Sequence, residues 1–270
     1  MKKQTKCLIL LISFLLVSGN LLFAENKEFV MPEMVEIPGK NIEMLTTEVT
    51  QDFYEYVMGI NPSRFKQKPK EQTTNETETE VIIDEKLPVD SVSWYDAVYF
   101  CNKLSIMNGL TPVYSMNGTT DVKKWKYKPN ETSSNDDFSE KEIKQNLKAN
   151  GYRLPTKEEW EYAAKGGEKY KYPGSDTASE VAWYYDFMNS DYKNETHFVG
   201  LLKPNGYGLY DMYGNVSEWC TDGYQARFWW VNHRMGGTYS DASYELYLDE
   251  PEFPGIQSND NGFRIVRNIK

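Results

Sequence analysis

Apolar residues recur at helical spacing in three places along the chain. Val49, Phe53, Tyr54 and Val57 predict a helix over residues 47–58, which Gly59 terminates. Ala97, Phe100, Cys101 and Leu104 fall at i, i+3, i+4 and i+7. Ser93 and Asp96 stand ahead of them as a capping-box-like pair, and Gly109 follows the end. A third helix is framed by Thr156 and Glu159 at its start and by Gly166-Gly167 at its end. Trp160, Ala163 and Ala164 line one of its faces. Residues 33–37 predict a short strand. Two polar stretches, near 66–86 and 117–148, read as surface insertions, the second with a hairpin around Trp125 and Tyr127. Beyond residue 170, Gly, Asn, Asp, Tyr and Trp dominate and helical periodicity is lost, which predicts loops and short strands. With no repeat of 20 to 50 residues and no low-complexity linker, a single loop-rich α+β domain over residues 35–267 is expected.

The N-terminus has a different pattern. Lys2, Lys3 and Lys6 precede an apolar run over residues 8–16, and Leu22-Phe23-Ala24 offers a cleavage site before Glu25. This predicts a signal peptide over residues 1–24 and a linker over 25–34. The run is short for a membrane span. Cys7 precedes it, so a lipid-anchoring cysteine is not expected. The protein is therefore expected to be exported to a periplasm, to the cell surface or to the medium.

Charge narrows the range of partners. The formal net charge is −10, and the first 24 residues carry three lysines and no acid, so the remainder is near about −13. An acidic surface argues against nucleic acid and anionic lipid as partners. The 20 Tyr and 7 Trp can build either a core or a contact surface where regular structure is sparse. Cys101 and Cys220 survive export. A disulfide is one reading, but the apolar helical face of Cys101 favours free, buried thiols.

Four segments in order carry a family resemblance. They are LPVDSVSW (87–94) running into Asp96-Ala97, GYRLPTKEEWEYAA (151–164), PNGYGLYDMYGNVSEW (204–219), and MGGTY (235–239) with GFR (262–264). Together they resemble the formylglycine-generating enzymes, the sulfatase-modifying factors, whose domain is related to C-type lectins. The resemblance implies an α+β fold with few regular elements. It also implies Ca²⁺ held by Asp211, Gly214, Val216 and Glu218, since carboxylates and carbonyls suit a hard cation. The plainer reading is that Asp211 and Glu218 satisfy loop N–H groups. Arg153 with Glu158 and Glu161 is expected to pin loops through buried ion pairs. Gly214-Asn215 and Gly236-Gly237 are expected at positive φ, and Trp160 and Trp219 as core fillers.

The departures from the family pattern bear on chemistry. The enzyme holds copper(I) through two cysteines, and soft thiolates are what that ion requires. Counted from Gly236-Gly237, those positions are Asp241 and Leu246, so copper is not expected and a non-catalytic protein is favoured. A related iron oxygenase branch needs three histidines, and only His197 and His233 exist. Two functions follow. One is a module binding an extracytoplasmic protein or glycan through an aromatic C-terminal face of Tyr224, Phe228, Trp229, Trp230, Tyr239, Asp241, Tyr244 and Tyr247. Such a face resembles the variable proteins of diversity-generating retroelements, although an aromatic core is the alternative reading. The other function is a formylglycine-generating oxidase acting on sulfatase cysteines.

Overall fold

The computed structural model describes residues 29–66, 86–130, 143–186, 193–246 and 249–269. The expected signal peptide, residues 25–28 of the linker, and Tyr247 lie outside the described residues, as do 67–85 and 131–142 of the polar insertions. The chain divides into residues 1–30 and 31–270, and every described element belongs to the second unit. Among the described residues, no helix is long and apolar enough to cross a membrane.

The elements in chain order are β1 (Met34–Glu36), β2 (Ile42–Leu45), α1 (Gln51–Met58), α2 (Trp94–Met107), β3 (Tyr114–Met116), β4 (Ile143–Gln145), β5 (Tyr152–Arg153), α3 (Lys157–Ala164), β6 (Ala182–Trp183), β7 (Tyr213–Gly214), β8 (Ser217–Ala226), β9 (Trp229–Met235), β10 (Asn261–Gly262) and β11 (Val266–Asn268). An antiparallel sheet runs β1-β2-β11-β5, so the end of the chain is inserted between two early strands. A second sheet runs β10-β8-β9, with β10 parallel to β8 and the β8–β9 pair antiparallel. Two further pairs, β3–β4 and β6–β7, complete an α+β fold with short elements and long ordered loops.

α2 and α3 both start with complete capping boxes. Ser93 and Thr156 accept from the N–H groups of Asp96 and Glu159, whose carboxylates return to the cap N–H groups. α1 begins later than its apolar spacing suggests. Residues 47–50 stay outside the helix because the Val49 N–H donates to the Phe263 carbonyl and the Val49 carbonyl accepts from Val89. Long-range ladder bonds outweigh the local helical pattern there. The hairpin expected at Trp125 and Tyr127 is instead a short 3₁₀ turn at Val122–Lys124. Both aromatics are buried against α2, with Trp125 edge-on to Tyr99 and Tyr127 tilted on Tyr95. The Tyr127 hydroxyl donates to Asp96 at 2.6 Å, so the polar stretch is tied down by the helix it covers.

One apolar cluster joins Ile37, Ile42, Met44, Trp160, Ala163, Leu209, Met212, Cys220, Met235 and Val266. A second centre is aromatic. Phe100 stacks on Tyr54 at 5.6 Å and meets Phe53 and Phe263 edge-on, each at 5.2 Å. Trp219 is buried with its indole N–H on the Val92 carbonyl.

Candidate functional site

A buried polar centre lies where β8, β10 and the turn before β7 meet. β8 and β10 pair in parallel with Glu218 opposite Gly262, which places Arg264, two residues on, against the Glu218 carboxylate. The guanidinium Nε lies 2.9 and 2.7 Å from the two carboxylate oxygens, and one terminal nitrogen adds a 2.7 Å bond. The remaining donors reach the carbonyls of Leu45, Thr46 and Tyr210. The Trp160 indole N–H donates to the same carboxylate at 2.6 Å. Burial alone would lower the Arg264 pKa, but Glu218, aided by Glu48 and Asp211, holds it above its ordinary value.

Asp211 and Asn215 bracket the adjoining turn, both in the left-handed region at φ 52° and 59°, which Asp and Asn tolerate. Gly214 between them has φ 79°, and a Cβ there would sit 2.0 Å from the Trp183 carbonyl oxygen, so only glycine fits. The Asn215 side chain donates to Glu48 at 3.0 Å and to the His197 carbonyl at 3.2 Å, while its oxygen accepts the His197 N–H. The His197 ring stacks on Trp183 with centroids 4.1 Å apart. Asp211 accepts from the Gly200 N–H at 2.6 Å, and burial raises its pKa to about 6. Glu48, fully buried, is pushed well above the usual carboxylate range by burial and then by the charge of Asp211.

The second candidate site is at the surface. β8 and β9 form a hairpin whose last pair is Ala226–Trp229, leaving Arg227-Phe228 as a two-residue turn with Arg227 at φ 54°. The hairpin tip is apolar and exposed. Phe228 is 75% exposed and Trp229 66%, and Tyr244, on the loop after β9, is 65% exposed. Tyr224 and Phe253 are also exposed. Asn232 and Glu252 exchange backbone bonds, which sets Phe253 edge-on to Trp229 at 6.3 Å. Asp249 fastens the base of the hairpin, accepting from Lys157 at 2.9 Å and lying 2.7 Å from His233 Nδ1. Trp230 is half-buried, and Tyr239 is buried with its ring edge-on to Phe65. Tyr239 therefore leaves the expected contact set, because it faces the inside of the turn that follows β9.

The family model of the sulfatase-modifying factor enzyme 1-like domain matches residues 13–269. The chain belongs to this family. The "Chaperone protein LppX" of Paenibacillus barcinonensis is 36% identical over 249 residues, 82% of this chain and 78% of that protein. The solved structure of Treponema denticola variable protein 1 superposes with a TM-score of 0.68 at 31% identity, covering 88% of this chain and 92% of that one. A formylglycine-generating enzyme of Thermomonospora curvata is 38% identical, but over 91 residues, 30% of this chain and 28% of the enzyme.

In this sulfatase-modifying-factor domain, Asp241 and Leu246 come together at Gly237. A Cβ on Gly237 would lie 2.9 Å from Leu246 Cα and 3.4 Å from an Asp241 oxygen. Asp241 accepts from the Thr238 N–H and hydroxyl at 2.7 and 2.8 Å, and Leu246 is buried. Cys101 and Cys220 are free and buried, and burial pushes both thiols up, away from the thiolate form. The expected ion pairs of Arg153 are corrected. Arg153 is bidentate with Glu159 at 2.6 and 2.8 Å, while exposed Glu158 pairs with Lys40 and Glu161 lies 3.9 Å from Lys157. Glu159 is the residue whose capping role turns it back towards β5, whereas Glu158 and Glu161 point outward.

The four residues implied for calcium divide. Glu218 does not fit a cation, because a guanidinium and an indole N–H already occupy its oxygens. Gly214 and Val216 are implied through their backbone carbonyls, and both residues are buried at this turn. Asp211 fits better, because its Oδ1 is buried without a hydrogen-bond partner. Glu48, on the same centre, went unnoticed in the sequence. A lone acid among the uncharged residues of the stretch 44–49 was the available signal.

Proposed function

We propose that this protein is an exported, non-catalytic binding module, and that the β8–β9 hairpin tip grips an apolar segment of a protein partner. The exposure of Phe228 and Trp229 at the hairpin tip, with Tyr224 on the same hairpin and Phe253 against Trp229, carries this reading. Exposed clusters of large apolar side chains mark contact sites, and aromatic residues anchor them. The similarity to a protein named a chaperone, over most of both chains, supports a protein as the partner.

The face is tested by truncation. Trp229→Ala and Phe228→Ser are expected to change stability in urea by no more than about 0.5 kcal/mol, as surface substitutions do. Together they are expected to remove the protein's capacity to suppress aggregation of a reduced, unfolding client protein. Suppression unchanged in the double variant, or absent in the wild type, overturns the reading. Binding to a glycan array through the same residues would keep the face and replace the partner class.

The oxidase reading predicts that a sulfatase-type cysteine becomes an aldehyde. A Cys-x-Pro-x-Arg peptide incubated aerobically with this protein and copper is expected to keep its thiol, because Asp241 and Leu246 offer no thiolate and the two free thiols are buried. Mass spectrometry showing the aldehyde in place of the thiol would restore the enzyme.

A further inference from the structure

The outer half of β8 carries an open strand edge. The pair Ala226–Trp229 closes a two-residue turn, so it is a hydrogen-bonded pair, and bonded and non-bonded pairs alternate from there. Tyr224–Val231 is then bonded, whereas Gln225–Trp230 and Gly223–Asn232 turn their backbone groups outward. The outward bonds between Asn232 and Glu252 agree with that phase. On the β9 side, Glu250 and Glu252 cover the edge, and the covering segment leaves at Pro254, whose carbonyl accepts from Trp94 at 3.0 Å. On the β8 side, cover ends at Thr221. Its N–H donates to the Pro155 carbonyl at 2.7 Å, and its carbonyl accepts from the Gln145 side chain at 2.9 Å. Beyond it, among the described residues, no hydrogen bond engages the outward backbone groups of Gly223 and Gln225. Gln225 is exposed. Such an edge is normally blunted by lysine, proline or an inward charge, and residues 223–226 carry none of these.

We propose that this edge takes up an extended segment of the partner protein as an added strand, with residues 223–226 supplying the backbone bonds. The inference rests on the binding-module reading and adds how the segment is held. Register decides the chemistry of the occupant. Tyr224 and Ala226 share one face of the hairpin with their cross-strand partners Val231 and Trp229, and Phe253 stands edge-on to Trp229. The opposite face beside the edge offers Gly223, which has no side chain, and the amide of Gln225. An added strand places successive side chains on alternate faces, so the matching segment alternates apolar residues with small polar ones. The chain carries a formal charge of −10, and Glu250 and Glu252 border the hairpin, so the segment is neutral or basic. Backbone bonds supply affinity, and the aromatic face selects the apolar positions.

The probe is a fluorescent peptide of alternating valine and threonine with a lysine at each end, titrated with the full chain and followed by anisotropy. The wild type is expected to bind it. Gln225→Pro removes an outward N–H that the hairpin does not use and sets a ring against the incoming strand. It should weaken binding by about tenfold or more, whereas Gln225→Ala, which keeps the N–H, should bind as the wild type does. Hydrogen exchange on the unsubstituted protein answers the question should the proline variant fail to fold. Saturating peptide should slow the Gly223 and Gln225 amides, which face solvent in the free protein. The inference is overturned if the wild type does not bind the peptide, if Gln225→Pro binds as tightly as the wild type, or if those amides exchange equally fast in the complex. Equal loss in Gln225→Ala would assign the contact to the side chain and overturn it as well. Amides already protected in the free protein, with a dimer by sedimentation, would give the edge to a second copy instead. The protein carrying Phe228→Ser and Trp229→Ala keeps the two readings apart. Peptide binding lost there but intact in Gln225→Pro would leave the aromatic face standing and remove strand addition alone.

Discussion

Replacing Arg264 by methionine is expected to lower the unfolding free energy by about 3–5 kcal/mol. The guanidinium is buried and bonds Glu218 together with three backbone carbonyl groups, so its loss strands a carboxylate and several acceptors at once. It also removes the cation that offsets Glu48 and Asp211. The measurement is equilibrium unfolding in urea, with the slope checked for two-state behaviour. A companion variant, Arg264→Met with Glu218→Leu, should recover part of the loss, because a well-packed apolar pair avoids the cost of an unpaired buried charge. A loss below about 1 kcal/mol for the single variant, the range of a solvated surface pair, would contradict the buried geometry.

Trp160→Ala is the second large effect, again about 3–5 kcal/mol. Trp160 fills the apolar cluster beside Ile37, Met44 and Val266, stacks on Tyr213 with centroids 6.2 Å apart, and donates to Glu218. Truncation therefore opens a cavity and removes a donor to a charged acceptor. Trp160→Phe separates the two contributions. It keeps most of the ring volume and should cost about 1.5–3 kcal/mol, the worth of a hydrogen bond to a charged group. The contrast with Trp229→Ala is informative, since the two residue types are identical and only burial differs. Equal losses at both positions would remove the distinction between core and contact face.

That distinction was not legible in the sequence. Trp160 announced itself through Ala163 and Ala164 on a capped helix, but Trp229, Trp230 and Tyr239 sit in a stretch where alternation is blurred. Their fates diverge because the hairpin leaves Trp229 at its tip and half-buries Trp230, while the turn after β9 folds Tyr239 inward. The α1 start at Gln51 departs from its apolar spacing for a related reason. Val49 has helical spacing, yet its hydrogen bonds go to Phe263 and Val89, which no local window contains.

By itself, the sequence determined the family, two helix starts with their reciprocal caps, the positive-φ turns at Gly214-Asn215 and Gly236-Gly237, and the burial of Trp160 and Trp219. Each depends on interactions within a few residues, or on motifs whose order is preserved along the chain. Only the tertiary structure decided the rest. It chose Glu159 over its neighbours as the partner of Arg153, gave Glu218 to Arg264, brought Glu48 to Asn215, and exposed the hairpin aromatics. These outcomes rest on contacts between segments far apart in sequence, made where β11 enters the sheet between β2 and β5 and β10 aligns with β8. Charge pairing and burial follow from that threading, and the local pattern of polar and apolar residues carries no record of it.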